Sequence, residues 1–268
     1  MERYLGMPEA ASAHAADLDH MMGLLHWLIL VLFVGWSIYF IYVLFRFRRA
    51  RQPKASYTGT KTKMSTYVEG GVVLAEAVLL IGFSIPLWSQ RVEQFPDERE
   101  SVVVRVVGEQ FVWNVHYPGP DGVFGRTAPE LMDSQTNPVG LDRSDPNARD
   151  DIVTVNQLHL PVNQPALIHL TSKDVIHSFA LKEMRIKQDT VPGLSIPVWF
   201  VPAVTTEEMR ARKGQDGYNY EISCAQLCGI GHYRMRGFMT IHTEEGFRQW
   251  LADREVDEDE SDADFWGQ

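Results

Sequence analysis

The chain has 268 residues, 45% of them hydrophobic and 22% charged, with a formal net charge of -10 and only two cysteines. That length accommodates one medium globular domain plus membrane segments, and the acidic balance disfavours nucleic acid as a partner. Two cysteines exclude a disulfide-dense scaffold, and no C-x-x-C-H run is present to attach a haem covalently.

Residues 1–20 read as an extracytoplasmic segment. Their acids Glu2, Glu9, Asp17 and Asp19 argue against the basic start of a cleaved signal peptide. Residues 21–45 contain no Asp, Glu, Lys or Arg, and about 25 residues rising 1.5 Å each exceed a hydrocarbon core of about 30 Å. A transmembrane helix is expected there. Residues 46–66 hold seven Lys or Arg and no acid, which places this loop in the cytoplasm. Residues 67–89 form a second expected span. The two helices then make a hairpin with both termini and the remainder of the chain on the extracytoplasmic side, and Trp27, Tyr67 and Trp88 near the span ends fit interfacial anchoring.

The second span carries Glu69 and Glu76. A carboxylate at membrane depth is costly and is a functional candidate by default. Glu69 lies next to the cytoplasmic loop, where it either gathers protons or simply reaches water. Glu76 is two helical turns deeper on roughly the same face, positioned toward protein rather than lipid.

Beyond residue 90 the long apolar runs give way to short ones, and residues 90–268 hold 29 acids against 17 Lys plus Arg. Residues 101–117, 165–170, 198–201, 218–223 and 236–242 read as strands by their β-branched and aromatic content. Residues 90–243 are therefore expected to form an all-β sandwich or Greek-key barrel. Within them, residues 118–151, rich in Pro, Gly and Asp, read as a long acidic surface loop. Residues 244–254 predict a short helix with Thr243 as N-cap candidate and Phe247 and Leu251 on one face. From residue 255 an acidic run reads as a solvated, disordered tail.

The chemistry is concentrated in Cys224-Ala225-Gln226-Leu227-Cys228-Gly229-Ile230-Gly231-His232-Tyr233-Arg234-Met235. Thiolates, an imidazole and a thioether at fixed offsets make a soft-metal cradle suited to copper, and one further imidazole is needed to hold two copper ions. His177, in Asp174-Val175-Ile176-His177-Ser178-Phe179, supplies it. A disulfide between the two cysteines is the plain alternative, but it needs neither His232 nor Met235. A mononuclear blue-copper site uses one Cys and two His, which the second thiolate opposes. A membrane-anchored copper-delivery protein would need the C-x3-C pair without the downstream His and Met. His14, His20, His26, His116, His159, His169 and His242 lack spacing to this loop and read as structural or exposed.

These segments resemble cytochrome c oxidase subunit II. The resemblance rests on the two spans, Gly108-Glu109-Gln110-Phe111-Val112-Trp113, the Asp174 to Phe179 segment, Lys187-Gln188-Asp189-Thr190-Val191-Pro192-Gly193 and the cysteine loop, and covers most of the chain. It implies a cupredoxin-like domain with a dinuclear copper A centre. Cys224 and Cys228 would bridge the metals; one copper would add His177 and Met235, the other His232 and the backbone carbonyl of Gln226. Three departures stand out. Gln226 occupies a position where the family commonly has a Glu that helps hold magnesium at the contact with subunit I. Phe111 stands at the family's usual electron-accepting Trp, with Trp113 retained as the second candidate. Glu76 stands where the family often has Pro.

The resemblance implies a subunit that takes electrons from a c-type cytochrome or similar donor and passes them to haem in subunit I, where oxygen is reduced and protons are translocated. Implied partners are subunits I and III, the donor, free or within a respiratory supercomplex, and the lipid of a bacterial inner membrane. The copper subunit of a nitric-oxide reductase, which would share the loop, and a copper-delivery protein are the alternatives.

Overall fold

A computed structural model describes residues 6–54, 57–58 and 62–254. The expected acidic tail, the first five residues and parts of the basic loop lie outside the described residues. The chain divides into a helical unit built on Asp17–Gln94 and a β unit built on Pro8–Ala16 and the chain from Phe95.

Helix α1 spans Ala15–Arg46, 32 residues and so about 48 Å. It is apolar on every side yet exposed, with Trp36, Phe40 and Phe45 among its uncovered side chains. A helix apolar all round belongs in lipid or in a core. The second helix runs Met64–Val92, and both are long and apolar enough to cross a membrane. This second helix is not uniform: α2 (Met64–Ala77) passes into a π-helical segment, Val78–Ser84, and then α3 (Ile85–Val92). Pro86 explains the widening. Its ring would crowd the carbonyl of Gly82 in α geometry and it has no amide hydrogen, and the Ile85 amide accordingly reaches the Leu80 carbonyl five residues back. Glu69 and Glu76 both lie on α2, exposed and about 10 Å apart along the axis.

The β unit contains β1 (Val102–Glu109), β2 (Val112–Tyr117), β3 (Ile152–Val155), β4 (Gln157–Pro161), β5 (Ala166–Ser172), β6 (His177–Leu181), β7 (Ile186–Thr190), β8 (Ile196–Phe200), β9 (Tyr220–Cys224) and β10 (Arg236–His242). One sheet has the order β3-β2-β1-β5-β8, the other β4-β10-β9-β6-β7. Their inner faces share one core. Val104, Val106, Trp113, Val115, Ile168 and Leu170 of the first sheet join Leu158, Leu160, Phe179, Leu181, Tyr220, Ile222, Met239 and Ile241 of the second. Each large side chain removed from water there contributes about 1.5–3 kcal/mol. The expected β-sandwich is thus the observed one.

Several details differ from the sequence reading. The run 101–117 is two antiparallel strands, Glu109 opposite Val112, with Gln110 and Phe111 forming the turn. Strands β3, β4, β6 and β7 were not expected. They are four or five residues long, and β6 is buried at every position, so it lacks the alternation by which half-buried strands are recognised. Helix α4 (Thr206–Lys213) was also unforeseen, although Thr205 and Glu208 form a capping box that the sequence carries openly, and Gly214 closes the helix at φ 63°.

The N-terminal segment is a working part of the β unit. The Ala11 amide donates to the Glu183 carbonyl (2.8 Å), Ala13 to Val201 (3.0 Å), Ala203 back to Ala11 (2.8 Å), and the Ser12 hydroxyl donates to the Met184 carbonyl (2.8 Å). The 118–151 loop is likewise more than a solvated excursion. Val139, Leu141 and Ala148 form a small cluster with Val107 of β1, and a buried His116–Asp151 pair at 2.7 Å, with the Gly125 amide on the same carboxylate, pins it to β2. The final helix covers residues 244–254: Thr243 Oγ1 accepts from the Gly246 amide at 3.1 Å, Phe247 is buried, and Trp250 and Leu251 pack against the core.

Candidate metal centre

Three pieces of chain converge at one end of the sandwich: the first residue of β6, the loop between β9 and β10, and the β1–β2 turn. His177, Cys224 and Cys228 each offer a ligand atom, and these atoms lie within 4.8 Å of one another. Both cysteines are free, their sulfurs 3.9 Å apart. A disulfide, about 2.05 Å long, is therefore not formed. The other three sequence candidates touch the same sulfurs. The Gln226 carbonyl oxygen is 3.2 Å from Cys224 Sγ, His232 Nδ1 is 3.7 Å from Cys228 Sγ, and Met235 Sδ is 3.8 Å from Cys228 Sγ.

Local structure explains the convergence. β9 ends at Cys224, whose amide bonds to the Met235 carbonyl, so the loop leaves and rejoins the sheet at adjacent points. A 3-10 turn, His232–Arg234, brings Met235 back into the core, where it is 2% exposed. His177 is fully buried. A glycine makes room for it: a β-carbon on Gly108 would lie 2.9 Å from His177 Cδ2.

The electrostatics leave one imidazole nitrogen open. His177 Nε2 donates to Asp174 Oδ1 at 2.9 Å, whereas Nδ1 is buried with no hydrogen-bond partner among the described residues. An orphaned buried acceptor beside two thiols fits a metal ligand. Burial alone would raise the Asp174 pKa. Hydrogen bonds from the Gln110 amide, His177 and the Val175 amide outweigh it and hold the carboxylate below its usual range. Burial pushes the Cys228 thiol up to about 11, helped by the neighbouring Cys224. Without a cation both effects disfavour the thiolate, and a soft cation would reverse that preference. The donor set therefore fits copper: two sulfurs, two imidazoles, a thioether and a carbonyl.

Of the two candidates for electron arrival, Phe111 is half-buried and its ring covers Gly231, where any β-carbon would overlap it. Trp113 has no exposed surface and packs edge-on against Phe179 at 5.5 Å. It also packs edge-on against the His177 ring at 6.0 Å, so it lies beside a candidate ligand while presenting no surface to a docking protein. Glu69 and Glu76 belong to the helical unit and are not part of this cluster. The residues missed from sequence are Asp174 and Gln110. Both stand in segments that carry the resemblance, Asp174 three residues before His177 and Gln110 just before Phe111, but the role of Gln110 depends on partners distant in the chain.

The family model for the cytochrome c oxidase subunit II periplasmic domain matches residues 102–243, more than half of the chain. The alternative cytochrome c oxidase subunit 2 of Bradyrhizobium diazoefficiens is 30% identical over 240 residues, covering 89% of this chain and 80% of that protein. The cytochrome c oxidase subunit 2 of Cereibacter sphaeroides is 25% identical over 260 residues, covering 92% and 78%. Among solved structures, the periplasmic domain of the CoxB subunit II from Bradyrhizobium japonicum aligns at 23% identity and a TM-score of 0.41, over 61% of this chain and 99% of that one. With the matched residues spanning both β1 and the cysteine loop, this chain belongs to the cytochrome c oxidase subunit II family.

Proposed function

We propose that this chain accepts electrons one at a time at a dinuclear copper centre held by His177, Cys224, the Gln226 carbonyl, Cys228, His232 and Met235. It hands them to haem in subunit I of a proton-translocating oxidase, with a c-type cytochrome or similar carrier as donor. The observation that carries the reading is the convergence of one open imidazole and two free thiols within 4.8 Å, with the remaining three donors against the same sulfurs. When bound, the copper pair supplies a one-electron couple shared over two metals and two sulfurs. The chain does the rest. Cys224 and Cys228 give up their protons to the solvent as metal binds, Asp174 keeps the His177 proton on Nε2, and buried Met235 shields one side of the cluster from water. Gln226 offers its carbonyl; its neutral amide side chain supplies no anionic oxygen for magnesium.

Phe111 serves the donor by contact. Phenylalanine is too hard to oxidise to act as a stepping stone, so its ring over Gly231 contributes packing at the docking face. The two apolar helices anchor the subunit in a bacterial inner membrane, with the basic loop in the cytoplasm and the β unit in the periplasm. On α2, Glu69 gathers protons for subunit I and Glu76 continues the path inward.

Copper loading of the purified full chain in detergent tests the centre. Two coppers per chain with a mixed-valence dinuclear electron paramagnetic resonance signal are expected; copper lost readily to an acceptor, without that signal, would instead identify a copper-delivery protein. For the membrane part, Glu69→Gln in the assembled complex is expected to lower oxygen turnover while leaving copper reduction by the donor intact. Normal turnover would return Glu69 to an interfacial role.

A further inference from the structure

The metal-binding groups come from two separate parts of the fold, His177 from β6 and the other five donors from the β9–β10 loop. Their relative placement needs something that holds both. The β1–β2 turn does so through a single residue. The Gln110 backbone amide donates to Asp174 Oδ2 at 2.8 Å, and the other oxygen of that carboxylate accepts from His177 Nε2 at 2.9 Å. The Gln110 side-chain amide, pointing the other way, donates to the carbonyl oxygen of Cys228. Next to it the Phe111 ring seats on Gly231 of the same loop. Asp174 is fixed further by the Val175 amide at 2.6 Å, so it is not free to follow the imidazole.

We infer that Gln110 is a positioning residue of the metal centre: it clasps the His177 side to the Cys228 side and thereby sets how the two halves share the bound copper pair. This rests on the copper reading of the site. Gln110 touches no ligand atom directly. Its two hydrogen bonds act through the Asp174 carboxylate on the imidazole and through the Cys228 carbonyl on the peptide that carries one sulfur. Its side chain is exposed, so its removal leaves no cavity and no buried orphan at Gln110 itself. The effect should appear in the geometry of the centre rather than in folding.

The test uses the full chain in detergent, loaded with copper, as wild type and as Gln110→Met, which keeps length and neutrality but has no donor. One neutral hydrogen bond is worth about 3- to 10-fold in an equilibrium. Gln110→Met should therefore lose copper to a chelator about 3- to 10-fold faster, still bind two coppers, and show an altered hyperfine pattern and reduction potential. Gln110→Glu, of the same shape but with a carboxylate against the Cys228 carbonyl, should change all three further in the same direction. It also serves as the probe should Gln110→Met prove misfolded by circular dichroism of the metal-free chain. Wild-type hyperfine pattern and potential in a folded variant would overturn the inference, even with faster copper loss, since a merely structural contact moves stability alone. A wild-type chain that takes up no copper pair would overturn the copper reading and the clasp together.

Discussion

Strand β10 joins two ends of the sandwich that use histidine in opposite ways. At its start, after Met235, the loop sulfurs face one another and the buried Nδ1 of His177 has no hydrogen-bond partner among the described residues. At its finish, His242 Nε2 lies 2.8 Å from His159 Nδ1, and the Trp250 ring stacks on His159 at 4.3 Å. Phe247 stacks in turn on Trp250. The Tyr117 hydroxyl accepts from the His159 amide at 2.7 Å and donates to its carbonyl at 3.2 Å. The far end thus pairs one nitrogen of each of these histidines and the Tyr117 hydroxyl within the protein and docks the final helix, with Trp250 Nε1 the buried donor there that has no hydrogen-bond partner among the described residues. The metal end leaves donors open and surrounds them with the uncovered side chains of Leu227, Ile230 and Tyr233. Histidine content does not separate a binding site from a structural cluster; what differs here is that the buried Nδ1 of His177 has no protein partner among the described residues, whereas His159 Nδ1 and His242 Nε2 have each other.

The largest effect that would break this contrast is at the sulfurs. Cys224→Ser or Cys228→Ser should abolish the mixed-valence signal, because the proposed copper pair would need both thiolates to hold it. Survival of the signal in either variant would show that the open donors are not used as a set. Next, Gly108→Ala should push the His177 ring from its place, since the added carbon would lie 2.9 Å from Cδ2. Copper affinity measured by competition should fall about 10- to 100-fold, the usual cost of misorienting a metal-bound histidine.

At the closed end, Trp250→Ala should lower the stability of the chain by about 2 kcal/mol, less than for a fully buried Trp because the side chain is only partly buried, while leaving the copper signal unchanged. Denaturant titration and electron paramagnetic resonance read the two halves of that statement separately. A smaller effect follows from pH. Burial, then the neighbouring His242 and Arg254, push His159 down to about 4 from about 6.5, and burial also lowers His242. The unfolded chain therefore takes up protons at a higher pH than the folded one. Stability should be full above about pH 6.5, decline as pH falls toward 4 and level off below, by about 1 to 2 kcal/mol once solvent screening is allowed for. A flat profile over that window would mean that His159 and His242 are not closed to solvent. The mildest change is Met235→Leu, which keeps the volume and would remove only a weak thioether donor. Potentiometry should register a shift with copper occupancy nearly unchanged.

Much of this molecule is legible one segment at a time. Both membrane-length helices follow from long apolar runs, the second carrying only Glu69 and Glu76 as charged residues, and the cysteine loop follows from donor spacing in a stretch of twelve residues, because both signals are local. The sandwich was visible as a class but not strand by strand. β6 lacks alternation because both of its faces are covered, and β3 and β4 are too short to carry a period. The ordered 118–151 loop depends on Asp151 reaching His116 across 35 residues, which composition does not record.

Sequence by itself determined the chemistry available: two thiols, two imidazoles, a thioether and two carboxylates in the second apolar run, since these depend only on which side chains occur and how far apart they lie. Only the tertiary structure decided which of them meet and how. It buried Trp113 and left Phe111 over Gly231, joined the 8–13 segment to the β unit by pairing it with residues near 183 and 201, and put Gln110 between Asp174 and Cys228. The reason is physical. Hydrogen bonds and packing between residues dozens of positions apart depend on the register of paired strands, and that register is set by the shared core of both sheets rather than by any single stretch of chain.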